Sequence, residues 1–145
     1  VSGDPAAPPG PDAASAPRAR FPAPLRRPKP WGEEALFAGG EHGYVGKLLT
    51  VRAGQALSLQ YHVEKDETIV VVTGEAVLEH GGRDEPLASR TIRPGDVVHL
   101  PPGARHRITA TTDLLLVEAS TAAPGWQDDV VRLEDRYGRA GTSAP

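Results

Sequence analysis

Cysteine is absent from this 145-residue chain. That excludes disulfides and thiolate ligands, so any bound metal must be held by nitrogen and oxygen. Aromatic residues make up only 5% of the chain and never interleave with a basic run, while the formal charge is only −3. Nucleic acid is therefore not an expected partner. Long apolar runs are missing too: no stretch approaches the length of a membrane span, and the N-terminus lacks the apolar core of a signal peptide. No membrane association is expected, and a cytoplasmic location follows by default. Finally, no segment after Trp31 shows a helical repeat.

Branched residues at strand spacing take the place of helical pattern. Short segments at Leu48 to Val51, Ala56 to His62, Thr68 to Thr73, Ala76 to His80, Ser89 to Ile92, Val97 to Leu100, Arg105 to Thr109 and Leu114 to Ala119 are separated by Gly and Pro signals. Evenly spaced short strands predict an all-β fold, either a jelly roll of two antiparallel sheets or a small barrel. Residues 1–25 are rich in Ala, Pro, Gly and Asp with few large apolar side chains, which predicts a disordered tail or a linker piece of a larger protein. The ordered domain is expected over 26–139, with 140–145 a second disordered end.

Two polar clusters interrupt the strands. The first runs Gly54, five residues, Gln60, one residue, His62, four residues, Glu67, six residues, Gly74; the second runs Gly95, five residues, Pro101, one residue, Gly103, two residues, His106. Successive strand residues face opposite ways, so Gln60 and His62 share a face and can converge on one point. Glu67 and His106 complete a set of two nitrogens and two oxygens suited to a borderline divalent ion. Glu64 has the same parity as Gln60 and His62, and three roles are open to it: ligand, proton-transfer group, or solvated strand end. With Ser58, Gln60 and His62 pointing inward, Leu57, Leu59 and Tyr61 are expected to point out. That apolar outer face predicts a symmetric homodimer, with the segment around Trp31 as the competing cover.

The clusters resemble the two motifs of the cupin superfamily. The superfamily more often has His at the place of Gln60, and Asn at the place of Ala110. Closer resemblance is to the cupin domain of type II mannose-6-phosphate isomerases, through RPKPWG (Arg27 to Gly32), LSLQYH (Leu57 to His62), VVVTGE (Val70 to Glu75), PPGARHR (Pro101 to Arg107) and DDVVRLEDRYGR (Asp128 to Arg139). Those enzymes commonly carry an upstream nucleotidyltransferase domain, which the residues here do not include, and usually have His where this chain has Glu64. Type I isomerases share the Gln-x-His pair, and the resemblance implies that they use it on zinc.

The resemblance implies interconversion of mannose 6-phosphate and fructose 6-phosphate with a divalent metal: zinc first, with cobalt, manganese, nickel or iron as alternatives. Gln60, His62, Glu67 and His106 are then the metal ligands. Glu64 or Lys47 is the expected base, and Arg107, Arg105, Arg139 and Tyr137 are expected to touch the sugar phosphate. Two other classes fit the same motifs: a metal cupin with different chemistry, such as dioxygen-dependent cleavage, and a non-catalytic sugar-binding or regulatory cupin.

Overall fold

The computed structural model describes residues 17–145. Most of the expected tail, residues 1–16, lies outside the described residues. Residues 17–24 form no strand, and Phe21 there is 95% exposed. Eleven strands follow: β1 (Leu25–Lys29), β2 (Gly32–Gly39), β3 (Tyr44–Val51), β4 (Leu59–Tyr61), β5 (Glu67–Thr73), β6 (Ala76–Gly81), β7 (Ala88–Ile92), β8 (Val97–Leu100), β9 (Arg105–Ala110), β10 (Leu114–Thr121) and β11 (Val131–Glu134). The described residues contain no helix.

Two antiparallel sheets result. One has the order β1-β2-β3-β10-β5-β8 and the other β11-β4-β9-β6-β7. Their inner faces are supplied by strict alternation: β5, β9 and β10 bury every second residue. Ile69, Val71, Ile108, Leu114 and Leu116 thereby meet Leu78, Ile92 and Trp31 in one apolar cluster. This is the all-β, two-sheet jelly roll, one of the two forms the strand spacing predicts.

Three strands carry too little apolar alternation to be read in advance. In β1, Pro28 cannot donate to a ladder, which is tolerable because β1 is the edge of its sheet. Strand β2 contains adjacent Glu33 and Glu34, and β11 is short and polar. These strands form because neighbours across the sheet complete their hydrogen bonds, with β2 pairing β3 and β11 pairing β4. The turn between β5 and β6 depends on Gly74, which has φ of 85°; a Cβ there would stand 2.1 Å from the carbonyl oxygen of Asp113.

The expected outward face of Leu57, Leu59 and Tyr61 needs correction. Leu59 is only 4% exposed within the single chain, Leu57 packs against the core cluster and lines a cavity, and Tyr61 is half-buried beside Val131 of β11. The strand is too short for its flanking residues to keep strict alternation, so these three do not form the exposed apolar patch from which a second subunit was inferred.

Candidate metal centre

Three elements bring the donors together. His62 follows directly on β4, Glu67 opens β5, and His106 lies in β9 opposite Gln60 of β4. Their side chains are 5%, 2% and 3% exposed as residues, and one ligand atom from each lies within 4.8 Å of the others. His106 Nε2 stands 3.2 Å from Glu67 Oε1, and His62 Nε2 stands 3.5 Å from Oε2. The imidazole rings are tilted by 42° with centroids 5.7 Å apart.

The outer nitrogens determine what the inner ones can do. His106 Nδ1 lies 3.0 Å from the carbonyl oxygen of Ala104, and His62 Nδ1 meets the carbonyl oxygen of Asp129. A carbonyl only accepts, so each Nδ1 must carry the proton, and each Nε2 of a neutral ring turns its lone pair toward Glu67. His62 Nε2 is buried without a hydrogen-bond partner. Two lone pairs and a carboxylate converging at this distance repel unless protons or a cation lie between them. The donor set therefore fits a divalent ion, with His62, Glu67 and His106 as the residues able to hold it.

Gln60 is placed beside that trio. Its Oε1 accepts from Ser58 Oγ at 2.6 Å, and its Nε2 faces His106 Nε2 at 3.5 Å. Ligation through the amide oxygen would require the group to turn and release Ser58.

Lys65, which the sequence reading passed over, is buried against the centre. Its Nζ lies 2.6 Å from Glu67 Oε2 and 3.1 Å from Glu118 Oε1, and Ser120 Oγ also donates to that Glu118 oxygen. In the metal-free protein burial alone would push the Glu67 carboxyl up; protons lying between it and the His106 and His62 Nε2 atoms, together with the Lys65 charge, outweigh burial and hold the group well below the ordinary carboxylate range. Burial likewise opposes the charge on Lys65, yet Glu118 and Glu67 raise it above its ordinary value. One signal was available: Glu118 is a lone charge inside the apolar run from Leu114 to Ala119.

Asp129 ties the loop after β4 in place. Its carboxylate accepts from the backbone N–H groups of Val63 at 2.7 Å, Glu64 at 2.9 Å and Lys65 at 2.7 Å, and its own carbonyl holds His62. Those three N–H groups outweigh burial and lower the Asp129 carboxyl. Asp135, bound by Arg139, is lowered as well. Because these folded-state values lie below the ordinary 4.5 for Glu67 and 3.8 for the two aspartates, their stabilisation is present above those values and lost as pH falls through the folded ones. The melting temperature of metal-free protein should accordingly hold from neutrality to about pH 5 and fall steeply below about pH 4. A flat profile down to pH 3 would contradict these lowered values.

A cavity of about 290 Å³ opens onto His62. Gln60, Lys47, Arg139, Leu49 and Trp126 are among its walls. Lys47 reaches Glu34 at 3.4 Å and Glu118 at 3.8 Å and stands 5.5 Å from the Trp126 ring centroid. Arg139 is gripped by Asp135 through its Nε at 3.1 Å and NH2 at 2.8 Å.

The remaining expected site residues lie elsewhere. Glu64 is exposed in the loop beyond β4 and does not line the cavity. Arg105 and Arg107 flank His106 in β9 and so face away from it. Arg107 clasps Glu79 at 2.6 and 3.0 Å and Glu134 at 2.9 Å, and these carboxylates raise its pKa. Arg105 donates to the carbonyls of Gly82, at 2.9 Å, and Glu85. Tyr137 donates to Gln55 at 2.7 Å and packs against the apolar core. Neither of the two β9 arginines is therefore positioned to meet a ligand in the cavity, because strand parity sends them to the opposite face.

A two-sheet β barrel with buried imidazoles and a carboxylate converging between the sheets is a cupin. The chain belongs to the mannose-6-phosphate isomerase C-terminal family, whose model matches residues 25–135. Over 113 residues it is 35% identical to mannose-1-phosphate guanylyltransferase ManC of Salmonella typhimurium, covering 77% of this chain and 22% of that protein. It is 34% identical to the xanthan biosynthesis protein XanB of Xanthomonas campestris, covering 77% and 23%. The chain thus spans under a quarter of the length of these relatives. Among solved structures, the capsular polysaccharide assembling protein CapF of Staphylococcus aureus superposes with a TM-score of 0.67 at 21% identity, over 80% of this chain and 33% of that one. Oxalate decarboxylase of Bacillus subtilis gives 0.67 at 14% identity, over 76% and 30%. At these identities the structural likeness speaks for the fold.

Proposed function

We propose that the protein is a metal-dependent sugar-phosphate isomerase that interconverts mannose 6-phosphate and fructose 6-phosphate, or a closely related aldose–ketose pair. The observation that carries this reading is the buried His62–Glu67–His106 set, both Nε2 atoms turned inward, beside a cavity lined by cations. The family description supports it. Similarity to a xanthan biosynthesis protein and a capsular polysaccharide assembling protein supports a place in making polysaccharide precursors. A phosphorylated sugar is membrane-impermeant, which favours the cytoplasm as the place of action.

A divalent ion, zinc by preference for two imidazoles and a carboxylate, would supply Lewis-acid polarisation of the sugar oxygens. The chain supplies the rest. The proton leaves carbon 2 of the aldose and returns to carbon 1, while the hydroxyl proton passes from oxygen 2 to oxygen 1, so no co-reactant is consumed. Glu118 carries the carbon-bound proton in this reading, since it is a carboxylate lining the cavity, and Lys47 and Lys65 hold it in place at 3.8 and 3.1 Å. Leu49, Leu57 and Trp126 exclude water from the reacting end.

The test is formation of fructose 6-phosphate from mannose 6-phosphate by fully metallated protein. Glu118→Gln should lower kcat by about 100-fold or more with metal retained, as loss of general acid–base catalysis does. Glu64→Gln should change it by only about two- to three-fold, because an exposed group away from the cavity takes no part in the proton transfer. No turnover by wild type on several hexose phosphates would overturn the isomerase reading; full activity in Glu118→Gln would remove Glu118 from it.

A further inference from the structure

Six basic side chains line the cavity: Arg27, Lys29, Lys47, Lys65, Arg132 and Arg139. Most are already committed to carboxylates. Lys65 is bound to Glu67 and Glu118, Lys47 to Glu34 and Glu118, and Arg139 to Asp135. Arg27 and Lys29 reach the same Glu34 only at 3.8 and 4.0 Å, so one carboxylate serves three cations. Arg132 has no carboxylate within 4.0 Å among the described residues. Its NH1 donates to the carbonyl oxygen of Thr142 at 2.8 Å, and its Nε is buried with no acceptor at all.

A buried guanidinium Nε without an acceptor is costly, and it is retained here at a particular place. Arg132 pairs with Gln60 across β11 and β4, and Gln60 pairs with His106 across β4 and β9. Residues directly opposite share a face, so Arg132, Gln60 and His106 form one row pointing to the interior. Two strand spacings separate the ends of that row, about 10 Å of backbone, with side chains reaching inward from both. A hexose 6-phosphate has its phosphate at the end remote from carbons 1 and 2, and its length suits such a row.

We infer that Arg132, with Lys29, forms a phosphate-monoester subsite at the far end of the cavity from the His62–Glu67–His106 centre. This inference rests on the sugar-phosphate reading above and assigns the phosphate to residues other than Arg105 and Arg107. A dianionic phosphate supplies the acceptor that Arg132 Nε lacks, and the guanidinium edge matches two phosphate oxygens. Lys29, with a side chain 7% exposed, adds a second charge from the opposite sheet. For Arg132, burial and then Arg139 outweigh Asp135 and lower its pKa; for Lys29, burial together with Lys47, Arg27 and Arg139 outweighs Glu34 and lowers it as well. In both cases burial and the neighbouring cations outweigh the one nearby carboxylate.

The experiment is calorimetric titration of the metal-loaded full chain with mannose 6-phosphate and with mannose. Wild type should prefer the phosphorylated sugar by about 100-fold, and Arg132→Gln or Lys29→Gln should each lose about 10-fold or more of that preference with metal content unchanged. Arg132→Lys should recover part of it, and Arg107→Gln should leave it intact. Folded, metallated Arg132→Gln that binds mannose 6-phosphate like wild type would overturn the subsite, as would a wild type with no preference over mannose. Binding that depends on Arg132 without turnover would sink the isomerase reading and leave the subsite standing. Turnover with a KM unmoved by Arg132→Gln would do the reverse.

Discussion

His106→Ala is expected to abolish stoichiometric binding of a divalent ion, with affinity falling by more than about 100-fold, and His62→Ala should do the same. Each variant deletes an Nε2 that is buried, turned inward by a carbonyl on the opposite ring nitrogen, and within reach of Glu67. Nothing else among the described His, Cys, Asp and Glu side chains is grouped to replace them. Gln60→Ala should cost less, about 10-fold, because a neutral amide is at most a weak ligand and its oxygen is held by Ser58. Titration of metal-free protein with zinc, followed by metal analysis, measures both effects. A wild type that retains no zinc, cobalt, manganese, nickel or iron, or a His106→Ala protein that binds as tightly as wild type, would remove the metal centre.

The second large effect concerns stability. Lys65→Met should lower the unfolding free energy of metal-free protein by about 3–5 kcal/mol, the range for removing one partner from a buried ion network. Methionine preserves much of the packing of the lysine stem, but Glu67 and Glu118 then remain buried without the ammonium that holds them at 2.6 and 3.1 Å. Adding Glu118→Gln to Lys65→Met should recover part of the loss, since one of the uncompensated charges disappears. Urea unfolding of the single and double variants provides the measurement. A loss below about 1 kcal/mol would mean that water or a proton compensates the carboxylates.

Both predictions start from a fold in which local and distant information divide cleanly. His62, Glu67 and His106 were legible in the linear text because their placement depends on short-range rules. A strand reverses the side-chain direction at each residue, and Gly74, Gly95 and Gly103 mark where the chain turns. The same periodicity revealed β5, β6, β8, β9 and β10 almost to their ends. Strands β1, β2 and β11 escaped notice because they are held by partners across the sheet and not by their own apolar pattern.

What surrounds the trio required the assembled molecule. Lys65 and Glu118 are 53 positions apart, and Asp129 is 64 positions from the Lys65 N–H it holds, so no spacing rule joins them. The arginines illustrate the same limit. Arg107 adjoins a metal-site histidine in sequence and therefore looked like a substrate contact, yet being one residue away in a strand turns it to the other face, where Glu79 and Glu134 neutralise it. Arg132 lies 26 positions beyond His106 and shares its row because β11 joins the sheet beside β4. By itself, then, the sequence determined the barrel, its turns and the three inward donors, all set by neighbours along the chain. Tertiary structure alone decided which cations face the cavity and which carboxylates consume them, because strand pairing sets those contacts between residues that are remote in sequence.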